Sequence, residues 1–383
     1  MDPEVAPMLL LALGALCLPF AAAATRSNVL FVVVDNLRPS LGAYGEANVL
    51  SPHIDSLLKG SENSSGATLF SRAYCQEAWC SPSRNSFLTG RRPDTTQAWG
   101  FVSSFRDAPT GETWVTLPGH FKQQGYFAAS SGKVFHPNLP LNFDYPRSWS
   151  TQPTFAEKDD CATVGRAPSN TSNTMSCAFA PGDGMTDADS VCTDQVLLSL
   201  DAWQSNYSRS GKPFFLAAGY QSPRLAWSYP QAVAARYPPA QQIPIASEAL
   251  RKSPGASLAL EWFRPTEIDW YSDVNALHAQ PVPAAMQHEL RRAYYAAITH
   301  VDDQVGRLLN VLQTKGLYES TLVVFTAGEF EGAAVSTFYA WGGVGDGSLL
   351  RDLAGAGMPV TCVVMLPLAP SPVGASDCCH CLV

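Results

Sequence analysis

Basic residues are scarce in this chain: 25 Lys and Arg stand against 33 Asp and Glu, giving a formal net charge of −8 at pH 7. Charged residues of both signs make up only 15% of the total. A chain with no basic excess lacks the electrostatic footprint of a nucleic-acid binder, so no nucleic-acid partner is expected. Any anionic ligand must be drawn in by a local cluster of cations. Long apolar runs are also lacking. The most apolar stretch, Met8 to Phe20, falls short of the roughly 20 residues a membrane-spanning helix needs. It ends in Ala21-Ala22-Ala23-Ala24, the small-residue pattern of leader cleavage, so residues 1–24 are expected to be a signal peptide. Its first residues depart from the usual pattern, carrying Asp2 and Glu4 and no Lys or Arg. The expectation is entry into the secretory pathway, with a lysosomal or secreted product and no stable membrane insertion.

Apolar residues are plentiful at 46%, enough for a large globular domain. Asn28-Val29-Leu30-Phe31-Val32-Val33-Val34 is a continuous β-branched run, the pattern of a central strand covered on both faces. It runs into Asp35-Asn36, polar oxygens at a strand's carboxyl end, although an Asp in that position is often only a turn former. Thr116 to Gly125 reads as a helix stopped by glycine, followed by a strand over 127–131 and the loop Gly132-Lys133-Val134-Phe135-His136-Pro137. Pro213 to Tyr220 is a further buried strand delivering Gln221-Ser222-Pro223-Arg224. Thr321 to Thr326 is another, delivering Ala327-Gly328-Glu329-Phe330. Alternation of this kind implies an α/β fold with a central, mostly parallel sheet flanked by helices, whose ligands gather at the carboxyl ends of the strands. The domain is expected over 25–367, with an irregular surface insertion at about 139–194 and a Cys-rich tail at 368–383. Asp302 and Asp303 occupy consecutive positions of a helix, face different ways and are read as structural; His53 opens a helix and has no assigned role.

The most informative stretch is Cys80-Ser81-Pro82-Ser83-Arg84, continuing to Leu88-Thr89-Gly90-Arg91-Arg92-Pro93. Ser81 suits a helix cap and Pro82 a first helical turn, which places Cys80 at a helix N-terminus, where backbone N–H groups favour an anion. By itself Cys80 could equally be a buried or disulfide-bonded cysteine, as most are in exported proteins.

The pattern Cys-x-Pro-Ser-Arg followed by Leu-Thr-Gly-Arg resembles the signature of the sulfatase family of the alkaline phosphatase superfamily. The longer match through Arg91-Arg92-Pro93-Asp94-Thr95-Thr96 is similar to the iduronate 2-sulfatase group within it. The resemblance implies that a formylglycine-generating enzyme converts Cys80 to formylglycine, whose hydrate attacks a sulfate ester. It implies calcium as cofactor, held by Asp35, Asn36, the modified Cys80 and Glu329. It further implies that Arg84, Lys133 and His136 line the pocket, that Gln221 and Arg224 face the substrate, and that a sulfated glycan or another sulfate ester is the partner. Cys161 and Cys177 are, by the same resemblance, the loop disulfide. Ten cysteines less Cys17 of the leader leave nine, an odd number that fits one reserved for conversion. Asn63, Asn170 and Asn206 begin acceptor sequons for glycosylation.

The match has departures. Asn36 stands where the family has a second Asp, Gln221 where it has a His, and Gly328-Glu329 where it has Asp-His. The family's smaller C-terminal subdomain has no counterpart before Val383. Two readings follow: a sulfatase with reduced activity, or a noncatalytic relative that binds sulfated glycan or a protein. Returning Asp to positions 36 and 328 is expected to raise cation affinity.

Overall fold

A computed structural model of the chain describes residues 26–59, 67–159, 161, 174–245, 283–328 and 359–365. Its strands are β1 (Asn28–Val34), β2 (Ala67–Tyr74), β3 (Phe127–Gly132), β4 (Ser176–Phe179), β5 (Phe214–Tyr220), β6 (Trp227–Pro230), β7 (Thr321–Ala327) and β8 (Pro359–Met365). The longer helices are α1 (Pro52–Lys59), α2 (Cys80–Thr89), α3 (Leu117–Gln123), α4 (Ala188–Asn206) and α5 (Ala284–Thr314).

Every residue of β1 is buried, as its unbroken apolar run requires. Alternate side chains go to opposite faces of the sheet and feed two cores. Leu30, Val32 and Val34 pack with residues of α1, α4 and α5; Val29, Phe31 and Val33 pack with Leu88 of α2, Phe105, Phe135, Trp149 and Phe215. The result is a layered α/β fold. The six-stranded sheet has the order β2-β8-β7-β1-β5-β3. β3, β5, β1 and β7 run parallel, whereas β8 is antiparallel to both β7 and β2. The expected mostly parallel sheet is present, and its four parallel neighbours direct their carboxyl ends to one edge.

Two details differ from the expectation. The stretch 139–194 is less irregular than its composition suggests. Trp149 is fully buried and its indole N–H donates to the Phe143 carbonyl, β4 pairs with β6, and α4 already begins at Ala188 under an Asp187 cap. The Pro, Ser and Asp that break its periodicity serve turns and caps there and do not keep the chain out of the core. The second concerns α2, which starts at Cys80 with Trp79 as the capping residue, so Ser81 lies inside the first turn, its Oγ accepting from Asn85 Nδ2.

Cys161 and Cys177 form the disulfide that the resemblance implied, tying the loop to β4. Among the sequons, Asn206 is exposed at the end of α4; Asn63 and Asn170 lie outside the described residues, as do the leader and the Cys-rich tail. Among the described residues no helix is long and apolar enough to cross a membrane.

The ends of β3 and β5 approach so closely that a side chain at Gly132 or Gly219 has no room. A Cβ at Gly219 would lie 2.2 Å from the Lys133 carbonyl carbon, and one at Gly132 would lie 2.1 Å from the Gly219 oxygen. This approach lets the Lys133 N–H donate to the Gly219 carbonyl at 2.7 Å, fixing where β3 hands over to the following loop. Gly219→Ala is therefore expected to destabilise the protein by about 1–3 kcal/mol, the usual range for overpacking, read as a lower urea midpoint at an unchanged slope.

Candidate active site

Four segments distant in sequence converge at the carboxyl edge of the parallel strands. β1 supplies Asp35, the loop after β3 supplies Lys133, β7 leads to Gly328, and α2 brings Cys80, Ser83 and Arg84. Hydrogen bonds from neighbouring strands hold the end of β1: Asp35 N–H donates to the Tyr220 carbonyl, and Gly328 N–H donates to the Val34 carbonyl. From α5, the Tyr294 hydroxyl donates to the Asn36 carbonyl at 3.0 Å and accepts from Arg38 N–H at 3.1 Å. Asn36 itself adopts a left-handed conformation with φ 55°, which Asn tolerates better than most residues.

At the centre is a buried charge cluster. Asp35, Arg84 and Lys133 are 0%, 0% and 3% exposed. Arg84 Nη2 donates to Asp35 Oδ1 at 2.8 Å, and Lys133 Nζ donates to the other carboxylate oxygen. The second guanidinium nitrogen, Nη1, donates to the carbonyls of Lys133 and Val134. Ser83 donates to the Gly328 carbonyl and so pins the signature helix to the end of β7. Cys80 Sγ lies 3.2 Å from Lys133 Nζ. Burial alone would pull the Lys133 pKa down, but the Asp35 carboxylate and Cys80 more than offset it, and the net direction is upward. Lys133 is thus a fixed ammonium beside the cysteine. Cys192 offers a contrast: it is buried beneath Gly132, and burial with the nearby Asp189 charge pushes its thiol up to about 12.

His136 is half-buried, its ring against Phe101 and its Nδ1 facing the Pro137 carbonyl at 3.1 Å. That contact assigns the proton to Nδ1 and leaves Nε2 as an acceptor. Burial first and the Lys133 charge second lower its pKa from 6.5 to about 4. His136 is a neutral ring at neutral and mildly acidic pH.

The other expected residues fare differently. Arg224 is close enough for its charge to act on Lys133. Gln221 was expected to face the substrate, yet its Nε2 donates to the Ala156 carbonyl at 2.7 Å and its backbone N–H to Asp189 Oδ1 at 2.7 Å. Its amide donor is spent on a loop contact. Glu329 lies outside the described residues. Asp302 and Asp303 have different partners but do not point apart: Asp302 accepts from the backbone N–H of His53 and Ile54 at the start of α1, Asp303 pairs with Arg236, and an oxygen of each lies within 4.8 Å of the other. Together with His53 they are near enough to share a cation, but both carboxylates already have these partners. Tyr294 and Asp189 escape a reading of the sequence, since their partners lie 258 and 32 residues away.

The comparisons with known proteins fit this geometry. The sulfatase family model matches residues 27–346. The chain belongs to the sulfatase family. It is 36% identical to iduronate 2-sulfatase of Homo sapiens over 313 residues, covering 78% of this chain and 54% of the human protein. The Mus musculus protein of the same name is 34% identical over 336 residues, covering 83% of this chain and 58% of its own length. The chain thus spans little more than half the length of these relatives. A solved phosphonate monoester hydrolase from Silicibacter pomeroyi superposes with a TM-score of 0.59 at 21% identity, covering 89% of this chain and 68% of that one, a likeness of fold alone.

Sulfatases generally use a metal ion, and part of the present donor set suits one. Asn36 is 1% exposed, and neither its Oδ1 nor its Nδ2 has a hydrogen-bond partner among the described residues. A buried orphan carbonyl beside the Asp35 carboxylate is the donor chemistry of a hard cation. On the β7 side, Gly328 has no side chain, and a Cβ there would lie 2.5 Å from Arg84 Nη2. Gly328→Asp is therefore not a simple restoration, because it must displace a guanidinium held by Asp35 and two carbonyls. This packing opposes Asp at 328 and does not bear on Asp at 36.

Two outcomes are expected. Asp35→Ala leaves Arg84 and Lys133 buried without their carboxylate, and should cost about 3–5 kcal/mol of stability, read as a large fall in denaturant midpoint. The His136 sign runs the other way from a salt-bridged His: its folded pKa of about 4 lies below the ordinary 6.5, so the unfolded chain takes the proton first. Its contribution is intact above pH 6.5 and is lost as pH falls toward 4. A His136→Asn variant should show a flatter stability profile across that window in thermal unfolding; an unchanged slope would count against a depressed His136.

Proposed function

We propose that this protein hydrolyses sulfate esters, with a sulfated glycan of the uronate type as substrate class and Cys80 as the residue converted to formylglycine. The observation that supports this best is the contact of Cys80 Sγ with Lys133 Nζ at 3.2 Å, beside the Arg84–Asp35 pair at the edge of the sheet. Formylglycine supplies, as its hydrate, the oxygen that attacks sulfur. Lys133 meets the charge of a sulfate held at Cys80, and Arg84 keeps Asp35 and the Lys133 carbonyl in place behind it. Fixed cations aimed at the transferring group are the largest expected contribution. Arg224 adds positive charge from the β5 side. Asp35 and Asn36 would hold calcium, which would neutralise charge on the sulfate oxygens. Because both Asp35 oxygens already bond Arg84 and Lys133, the ion would enter in competition with them.

The weak point of the site is proton supply. Gln221 has no titratable proton, and His136, with a pKa of about 4, is neutral through the mildly acidic range. Neither can protonate a departing alkoxide efficiently, and a missing general acid costs about 10²- to 10⁴-fold. The second reading, a noncatalytic glycan binder, draws on the same residues and on Gly328.

A steep dependence on the leaving group is therefore expected. Protein made in a host with the converting enzyme should carry formylglycine at position 80, seen by mass spectrometry of the peptide ending at Arg84. It should release sulfate from an activated aryl sulfate at least 100-fold faster than from a sulfated uronate disaccharide, and Cys80→Ala should abolish both. Equal rates on the two esters would restore an efficient acid to the site; no release above the Cys80→Ala control on either would favour the noncatalytic reading.

A further inference from the structure

A group of tilted rings joins an exposed loop to the residues flanking Cys80 and Lys133. Phe101 is 45% exposed and lies in a loop whose neighbours Trp99 and Val102 are 54% and 96% exposed. Its ring sits 5.4 Å from Trp79 and 4.9 Å from His136, tilted by 43° and 49°. These two partners belong to the two arms of the site. Trp79 is the capping residue of α2 and the covalent neighbour of Cys80. His136 follows Lys133 by three residues on the loop after β3. Single exposed hydrophobic residues need no explanation. An exposed ring that contacts both arms of an anion pocket is different, because it sets an apolar wall beside convergent polar groups.

We propose that Trp79 and Phe101 form a platform that stacks on the ring of the sulfate ester, selecting ring-bearing esters over compact or open-chain ones. The proposal rests on the sulfatase reading above. Trp79 directly precedes Cys80 and packs against Phe101, so the ring of an ester whose sulfate is held at Cys80 and Lys133 would meet this pair on the α2 side. The C–H face of a pyranose carries slight positive charge and meets the negative face of an aromatic ring favourably. The committed occupant is the sulfated pyranose itself. The neutral state of His136 suits this surface, since a buried charge behind the stack would have to be desolvated.

Binding is measured on full-length Cys80→Ala protein, in which turnover is blocked, by calorimetry with inorganic sulfate and with a 2-O-sulfated uronate disaccharide. Phe101→Ala should lower the ratio of disaccharide to sulfate affinity about five- to tenfold, the range of one aromatic contact. Phe101→Tyr should restore it, which separates stacking from a folding defect. An unchanged ratio, or equal weakening of both ligands, overturns the platform while the sulfate pocket stands. Failure of inorganic sulfate to bind, together with no Cys80-dependent release of sulfate, removes the sulfatase reading and the platform with it.

Discussion

The site depends on one carboxylate. Asp35 is the first residue beyond a strand that is buried along its whole length, and a lone ionised carboxylate there would be very costly. Its two oxygens are met by Arg84 from α2 and Lys133 from beyond β3, so desolvation of one group dictates the placement of two others. Arg84 in turn reaches back to the Lys133 and Val134 carbonyls, which closes the cluster into a cage. Cys80 gains its neighbouring ammonium from this arrangement, because Asp35 holds Lys133 within 3.2 Å of the sulfur. Arg could not simply stand in for this Lys, since the compact ammonium fits between a carboxylate and a sulfur.

Local chemistry was the readable part of the sequence. The β-branched run of 28–34 could only be a covered strand, and it is. The glycine after α3 and the Pro within the first turn of α2 marked boundaries to within a residue or two. The five-residue signature carried the family and the neighbourhood of Cys80, and the resemblance carried the Cys161–Cys177 bridge. Residues whose roles are made by distant partners were not readable. Asp189 accepts from the N–H groups of Gln221 and Ser222, and Tyr294 clasps the Asn36 backbone across most of the chain. Gln221 illustrates the limit from the other side. Its position in the motif pointed toward the substrate, while the Ala156 carbonyl claims its side chain. Composition also misled over 139–194, where Trp149 outweighs its polar neighbours by the area it buries.

The same logic explains why the departures from the family pattern need not unmake the fold. Asn36 and Gly328 lie at strand ends, past the last ladder pairs of β1 and β7, so their side chains are not required for register. Asn36 is tied down by its backbone carbonyl through Tyr294 and not by its amide. The architecture therefore tolerates chemical change at the edge while its strands stay paired.

The contacts that assemble the cage join residues 49, 98 and 245 positions apart in the chain. Such long loops must close before any of these contacts can form, and closure entropy places them late in folding. A partly folded chain can hold α2 and α5 and still lack the Lys133 ammonium beside Cys80, leaving only the backbone N–H groups of the helix terminus there. The cage thus reports on completion: the Lys133 ammonium comes to Cys80 in step with the last strands of the sheet, and a population with intact helices but slipped strands would lack it.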